Sequence, residues 1–103
     1  MFNARTICGL ALAASLHPMA IANDALASRY ACVACHQAER RVVGPSWKEI
    51  ATRYADGSKT AAQVAATIRA GSKGGWGAIP MPPQPAVSET DAATLANWIL
   101  QRK

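Results

Sequence analysis

The chain has 103 residues, 17% of them charged, a formal net charge of +5, and three cysteines. That length holds one domain at most. The basic surplus is modest and unclustered, which argues against a nucleic-acid partner, and so few cysteines make their spacing the feature to explain.

The chain opens with "MFNAR", which carries Arg5 and no acid, followed by the apolar run "TICGLALAASL". That run has the length of a signal-peptide core and is too short to span a bilayer. "AIA" at positions 20–22 fits the small-x-small cleavage rule. The expected organisation is a secretory signal peptide at 1–22, cut after Ala22, and one mature domain at 23–103. A buried N-terminal helix is the alternative. Cys8 lies too early, and without small flanking residues, to be a lipid-attachment site. Cleavage removes Met1, Arg5, Cys8, His17 and Met19. What remains is Cys32, Cys35, His36 and Met81 as the only residues of their types, with ten cations against six acids, a net +4. Export places the chain in the periplasm, where disulfides persist.

Four segments of the mature chain carry helical periodicity. "DALASRYACVAC" offers Asp24 as N-cap and sets Leu26, Tyr30 and Val33 on one side. "SWKEIATRY" follows Gly44-Pro45 and spaces Trp47, Ile50, Ala51 and Tyr54 at i, i+3, i+4 and i+7. "TAAQVAATIRAG" opens on a capping box, Thr60 with Gln63, and stops at Gly71. "SETDAATLANWILQRK" starts from Ser88 and early acids, and ends with Arg102 and Lys103 at the negative end of the helix dipole. No segment alternates like a strand, so the expected class is all-α. Between the last two helices, "GSKGGWGAIPMPPQP" packs four glycines and four prolines into 15 residues. No helix survives that density. Met81 therefore rides on a loop, between Pro80 and Pro82, and the prolines stiffen its presentation.

An 81-residue mature chain buries too little surface to be comfortable without a staple or an added core. Its large apolar residues are few: Leu26, Tyr30, Ile50, Val64, Ile68, Leu95, Ile99 and three tryptophans are most of them. The stretch "CVACH" at 32–36 suggests what fills the middle. A redox disulfide needs C-x-x-C at a helix N-terminus, usually in a βαβ setting, and here the helical pattern precedes the motif. A zinc site needs a fourth ligand and a second pair. A structural disulfide leaves His36 unexplained. C-x-x-C-H instead denotes covalent haem attachment. Two thiols three residues apart reach the two vinyl groups on one porphyrin edge, and the adjacent imidazole falls beneath the iron. Burying on the order of 500 Å² of porphyrin contributes roughly 12 kcal/mol as an upper bound. Met81 is then the natural sixth ligand. A lone methionine is more often core filler, but a Gly/Pro loop is a poor place for filler. His/Met ligation raises the reduction potential, because a soft thioether prefers ferrous iron, and it closes the position that oxygen chemistry needs.

Taken together, "CVACH", "VVGPSWKEIATRY", "IRAGSKGGWGAIPMPPQ" and "LANWIL" resemble the small bacterial class I cytochromes c of the five-fifty-one type. The resemblance runs over essentially all of 24–103. It implies a single-domain class I cytochrome c fold, with four to five helices around one covalently bound haem c and crossing terminal helices. It implies thioethers at Cys32 and Cys35, iron ligation by His36 and Met81, a Pro45 carbonyl that accepts the proximal imidazole N–H, and a Trp76 indole N–H on a haem propionate. Two departures stand out. Thr67 occupies a position, two before Arg69, where close relatives often carry a basic residue near a propionate; Arg69 and Lys73 are the nearby cations to stand in for it. Ala27 stands where relatives often have an aromatic, so the terminal-helix interface should be repacked.

The implied function is not enzymatic: it is a periplasmic single-electron carrier between redox proteins, a donor and a terminal reductase or oxidase that are soluble or membrane-bound. The mature chain is expected to be a monomer with no membrane insertion. Its cations, Arg29, Arg40, Arg41, Lys48 and Lys73 among them, could steer an acidic partner. The rivals are a haem-based gas sensor and a small peroxidase. Both require Met81 to leave the iron open, and a peroxidase also wants a distal acid/base residue, for which the mature chain has no second histidine.

Overall fold

A computed structural model describes Gly9, Ala11 and residues 20–103 of the chain. Most of the expected signal peptide, including Cys8, His17 and Met19, lies outside the described residues. Among those described there are four α-helices, one 3-10 turn and no strand: α1 (Ala20–Arg29), the 3-10 turn (Cys32–Ala34), α2 (Trp47–Arg53), α3 (Ala61–Ala70) and α4 (Glu89–Leu100).

Three of the helices start where local chemistry says they should. Ser46 and Thr60 each accept a hydrogen bond from the backbone N–H three residues on, and Glu49 and Gln63 return the bond to the cap backbone. Ser88 caps α4 by accepting from Asp91 N–H at 3.0 Å. Each cap satisfies N–H groups that the first turn of a helix leaves without partners. At the far end of α4, Arg102 Nε donates to the Trp98 carbonyl at 3.1 Å. The first helix departs from expectation. It begins at Ala20 and ends at Arg29, so Asp24 lies inside the helix and is not its cap. Nor does the helix run on through Cys35. Ala31 takes the left-handed conformation, φ 58°, ψ 22°, and the cysteines follow on a tight 3-10 turn.

An alanine at that backbone angle is strained by about 1 kcal/mol or more, because its Cβ crowds the following carbonyl. Ala31→Gly is expected to stabilise the haem-loaded protein by about 1 kcal/mol, less the entropy that glycine adds to the unfolded chain. Equilibrium denaturation measures this directly; an unchanged or lowered midpoint would refute it.

α4 packs against α1, α2 and α3 and supplies much of the core: Ala92, Leu95, Ala96, Trp98 and Ile99 are all buried. Trp47, Ile50, Val64 and Ile68 meet them from α2 and α3. Leu26, Tyr30 and Trp76 only border the core, whereas Val87, just ahead of α4, is fully enclosed. Ala27 is 1% exposed, so the α1–α4 contact closes around a methyl group. Beside it, Tyr30 Oη donates to Asp91 Oδ2 at 2.5 Å and joins the two terminal helices. That hydrogen bond to a carboxylate holds the Tyr30 phenol above its usual range. Asn97 sits on the exposed face and bonds only its own helix, at the Ala93 carbonyl.

Candidate haem-binding site

Between the core and two long loops lies a cavity of about 460 Å³. Cys32, Cys35, His36, Pro45, Trp76 and Met81 all line it. They come from three separate stretches of sequence. Apolar side chains of α2, α3 and α4 complete the wall, Ile50, Val64, Ile68, Leu95 and Ile99 among them.

The proximal side is built by the loop between the 3-10 turn and α2. His36 N–H bonds the Cys32 carbonyl at 2.9 Å, and Gly44 N–H bonds Cys35 O at 2.9 Å, folding the loop back over the motif. Pro45 is buried and its carbonyl lies 2.6 Å from His36 Nδ1. A carbonyl can only accept, so Nδ1 carries a proton, and in the neutral imidazole Nε2 is then the nitrogen with the lone pair a metal would use. Gly44 makes room for the ring: a Cβ there would meet His36 Cε1 at 2.8 Å. Trp47 stacks on the imidazole with ring centroids 4.7 Å apart and planes 22° from parallel. The imidazole is thus fixed in tautomer and in plane.

A separate part of the lining is built from the end of α3. Gly71 stops the helix with φ 78° and allows a close backbone approach, since a Cβ would meet Met81 O at 2.7 Å and Pro83 N at 2.9 Å. Ser72 and Met81 then exchange two backbone hydrogen bonds, at 3.0 and 2.9 Å. Gln84 N–H bonds the Ile68 and Arg69 carbonyls, both at 3.2 Å. The backbone of Met81 is therefore tied to α3 on both sides of the residue, and its half-buried side chain lines the cavity.

Both cysteines are free thiols, and burial pushes the Cys32 thiol up. Among the described residues no group of three or more His, Cys, Asp or Glu could hold a metal ion, so a zinc site has no donor set. A mostly apolar cavity lined by two cysteines, by an imidazole whose Nδ1 is engaged with a carbonyl and by a thioether fits a haem.

Neither suggested stand-in for the missing basic residue reaches the cavity. Arg69 donates to the Val87 carbonyl at 3.0 Å and to Glu89 at 3.3 Å, and Lys73 is exposed and outside the lining. The lining cations are Arg41 and Lys59; Thr67 and Trp76 also line the cavity. Lys59 Nζ stands 5.5 Å from the Tyr54 ring centre. Sequence reasoning also passed over Trp47 as an imidazole support and Gly44 as its clearance; only the Gly44-Pro45 pair hinted at a special turn.

The Cytochrome c family model matches residues 23–103. The chain is 53% identical over 78 residues to cytochrome c-552 of Nitrosomonas europaea, which covers 76% of each protein. It is 47% identical over 72 residues to cytochrome c-551 of Pseudomonas aeruginosa, covering 70% of this chain and 68% of that one. The crystal structure of wild-type Nitrosomonas europaea cytochrome c552 aligns with a TM-score of 0.75 at 51% identity, over 78% of this chain and 99% of that one. The chain belongs to the cytochrome c family, as a small class I member of the 551 type: a haem-based electron carrier, not an enzyme, with one covalently attached haem c whose C-x-x-C-H motif Cys32 and Cys35 fit.

Proposed function

We propose that this chain is a periplasmic shuttle for single electrons whose haem iron is ligated by His36 and Met81. The observation that carries the reading is the cavity lining described above. One cavity is lined both by an imidazole whose Nδ1 is held by a carbonyl and by the only methionine of residues 23–103.

The bound haem supplies a one-electron ferric/ferrous couple. The residues hold it and keep its surroundings constant. Cys32 and Cys35 would hold it through thioethers, each S–H adding across a vinyl group with nothing lost. The Pro45 carbonyl orients His36 and raises its basicity. Met81 would be the second iron ligand, and the Trp76 indole N–H would hold a propionate. Because both ligands are tied to backbone at fixed points, little rearrangement accompanies a change of charge.

Among the described residues, four large apolar side chains are exposed: Val33, Val42, Val43 and Ile79. Val33 lies in the attachment motif, Val43 and Ile79 line the cavity, and Ile79 is 65% exposed. A small apolar patch at the cavity mouth suits brief encounters between redox proteins. Arg40, Arg41 and Lys73 are exposed on the same loops and favour an acidic partner, a donor on one side and a terminal reductase or oxidase on the other. Residues 1–22 act as the export signal, cut after Ala22, and 23–103 act as a monomer. No described helix is long and apolar enough to cross a membrane.

The visible spectrum of the exported protein tests this. Sharp α and β bands on reduction are expected, with the weak far-red band of methionine–iron ligation in the ferric state. A high-spin ferric spectrum without that band would overturn the His36/Met81 assignment and turn attention to a gas sensor or peroxidase.

A further inference from the structure

Residues 74–80 form a continuous part of the cavity wall, yet little holds them. Gly74, Gly75 and Gly77 are exposed, and a Cβ added at any of the three would meet nothing within 4 Å. The Ser72–Met81 pair closes the base of the loop. Among the described residues, no other backbone group bonds to 73–80. Two side chains do. Arg53 donates to the Gly75 carbonyl at 2.6 Å, and Arg41 donates to the Trp76 carbonyl at 2.9 Å.

The same two cations converge on the Trp76 ring. The Arg53 guanidinium carbon lies 4.0 Å from the ring centre and that of Arg41 5.9 Å. Trp76 is the partition between the cavity and a shallow outer groove of about 470 Å³. Arg53 lines the groove and Arg41 lines the cavity, so the indole is approached from both of its surroundings. Both arginines are anchored in firmer structure. Arg53 ends α2, and Arg41 pairs with Glu49 at 3.8 Å, the residue that completes the α2 capping box.

We propose that Arg41 and Arg53 are positioning residues, a two-point clamp that holds the 73–80 wall closed and so limits how readily an external ligand displaces Met81 from the iron. The proposal rests on the reading of Met81 as the iron ligand. A loop with few internal bonds opens locally at low cost. A guanidinium bonded to a carbonyl and stacked on an indole raises that cost at one point. Two such points on the consecutive carbonyls of Gly75 and Trp76 make opening of the wall depend on releasing both.

The experiment is stopped-flow binding of imidazole to the ferric holoprotein, with the far-red band followed in parallel. Arg53→Gln and Arg41→Gln are each expected to keep the band at rest but to bind imidazole roughly tenfold faster, the loss of one charge-assisted hydrogen bond. Arg53→Lys, which keeps a cation over the ring, should recover part of the slower rate. Arg40→Gln removes the same charge from the neighbouring position and should leave the rate unchanged. Denaturant midpoints are read on every variant. A wild-type band with imidazole rates within twofold of wild type in both glutamine variants overturns the clamp alone. So does a rate gain fully matched by faster global unfolding. A wild-type holoprotein without the band overturns the ligand reading, and the clamp with it.

Discussion

Replacing Cys32 and Cys35 together by alanine is expected to leave a chain without a cooperative fold. The reason is the size of what the core lacks without its cofactor. At about 24 cal/mol per Å³, failing to fill a cavity of about 460 Å³ forfeits up to about 11 kcal/mol, an upper bound because the mouth is open to water. A domain the size of the 23–103 stretch that the family model matches has about 4–12 kcal/mol of stability in total. The cofactor's burial is therefore comparable with the whole stability of the fold. The walls most affected, Ile50, Val64, Ile68, Leu95 and Ile99, are also the side chains through which α2, α3 and α4 meet. Far-UV circular dichroism of the exported double variant should show little helix at 25 °C and no sigmoidal melt. A sharp melt near the wild-type midpoint in a preparation free of haem would refute the argument. If haem is present but extracts into acidified ketone, His36 and Met81 alone suffice to retain it, and the covalent links serve permanence rather than folding.

How much of this was visible in the sequence depends on how far each interaction reaches along the chain. The capping box of Thr60 and Gln63, the Ser88 cap and the Gly71 stop involve residues four apart or fewer, and they were legible because the helix period fixes who meets whom. The cofactor was legible for a different reason: covalent attachment demands two thiols and an imidazole in one pentapeptide, with no dependence on the rest of the fold. What escaped was long-range or purely conformational. Ala31 carries no sign that its backbone is left-handed, and relocating the end of α1 from Cys35 to Arg29 follows from that single angle. Arg69 is adjacent in sequence to the cavity helix, yet Val87 and Glu89 capture it from 18 and 20 residues away. The bonds from Arg53 to Gly75 and from Arg41 to Trp76 span 22 and 35 residues. No periodicity announces a cation that will cross from one loop to stack on another.

Met81→Ala is the second change with a large expected effect, and the backbone makes it a clean one. The Ser72 pair and the Gln84 bonds use only main-chain atoms at 72 and 81 and the 84 N–H, so truncating the side chain leaves the loop tied in place. The far-red band should vanish, and the reduction potential should fall, since the soft thioether that favours ferrous iron is gone. Carbon monoxide should bind the ferrous variant roughly 100-fold faster than wild type, if the parent site is open about 1% of the time. Peroxidase-like turnover should rise from near zero, because an open iron position is what such chemistry first needs. A parent protein that already binds carbon monoxide at the variant's rate would mean that Met81 does not close the site. The carrier would then differ from its proposed mechanism at the very residue that the two prolines hold in place. A variant that keeps the far-red band is equally decisive. Met81 is the only methionine outside the expected signal peptide, so no other thioether in the mature chain could produce it.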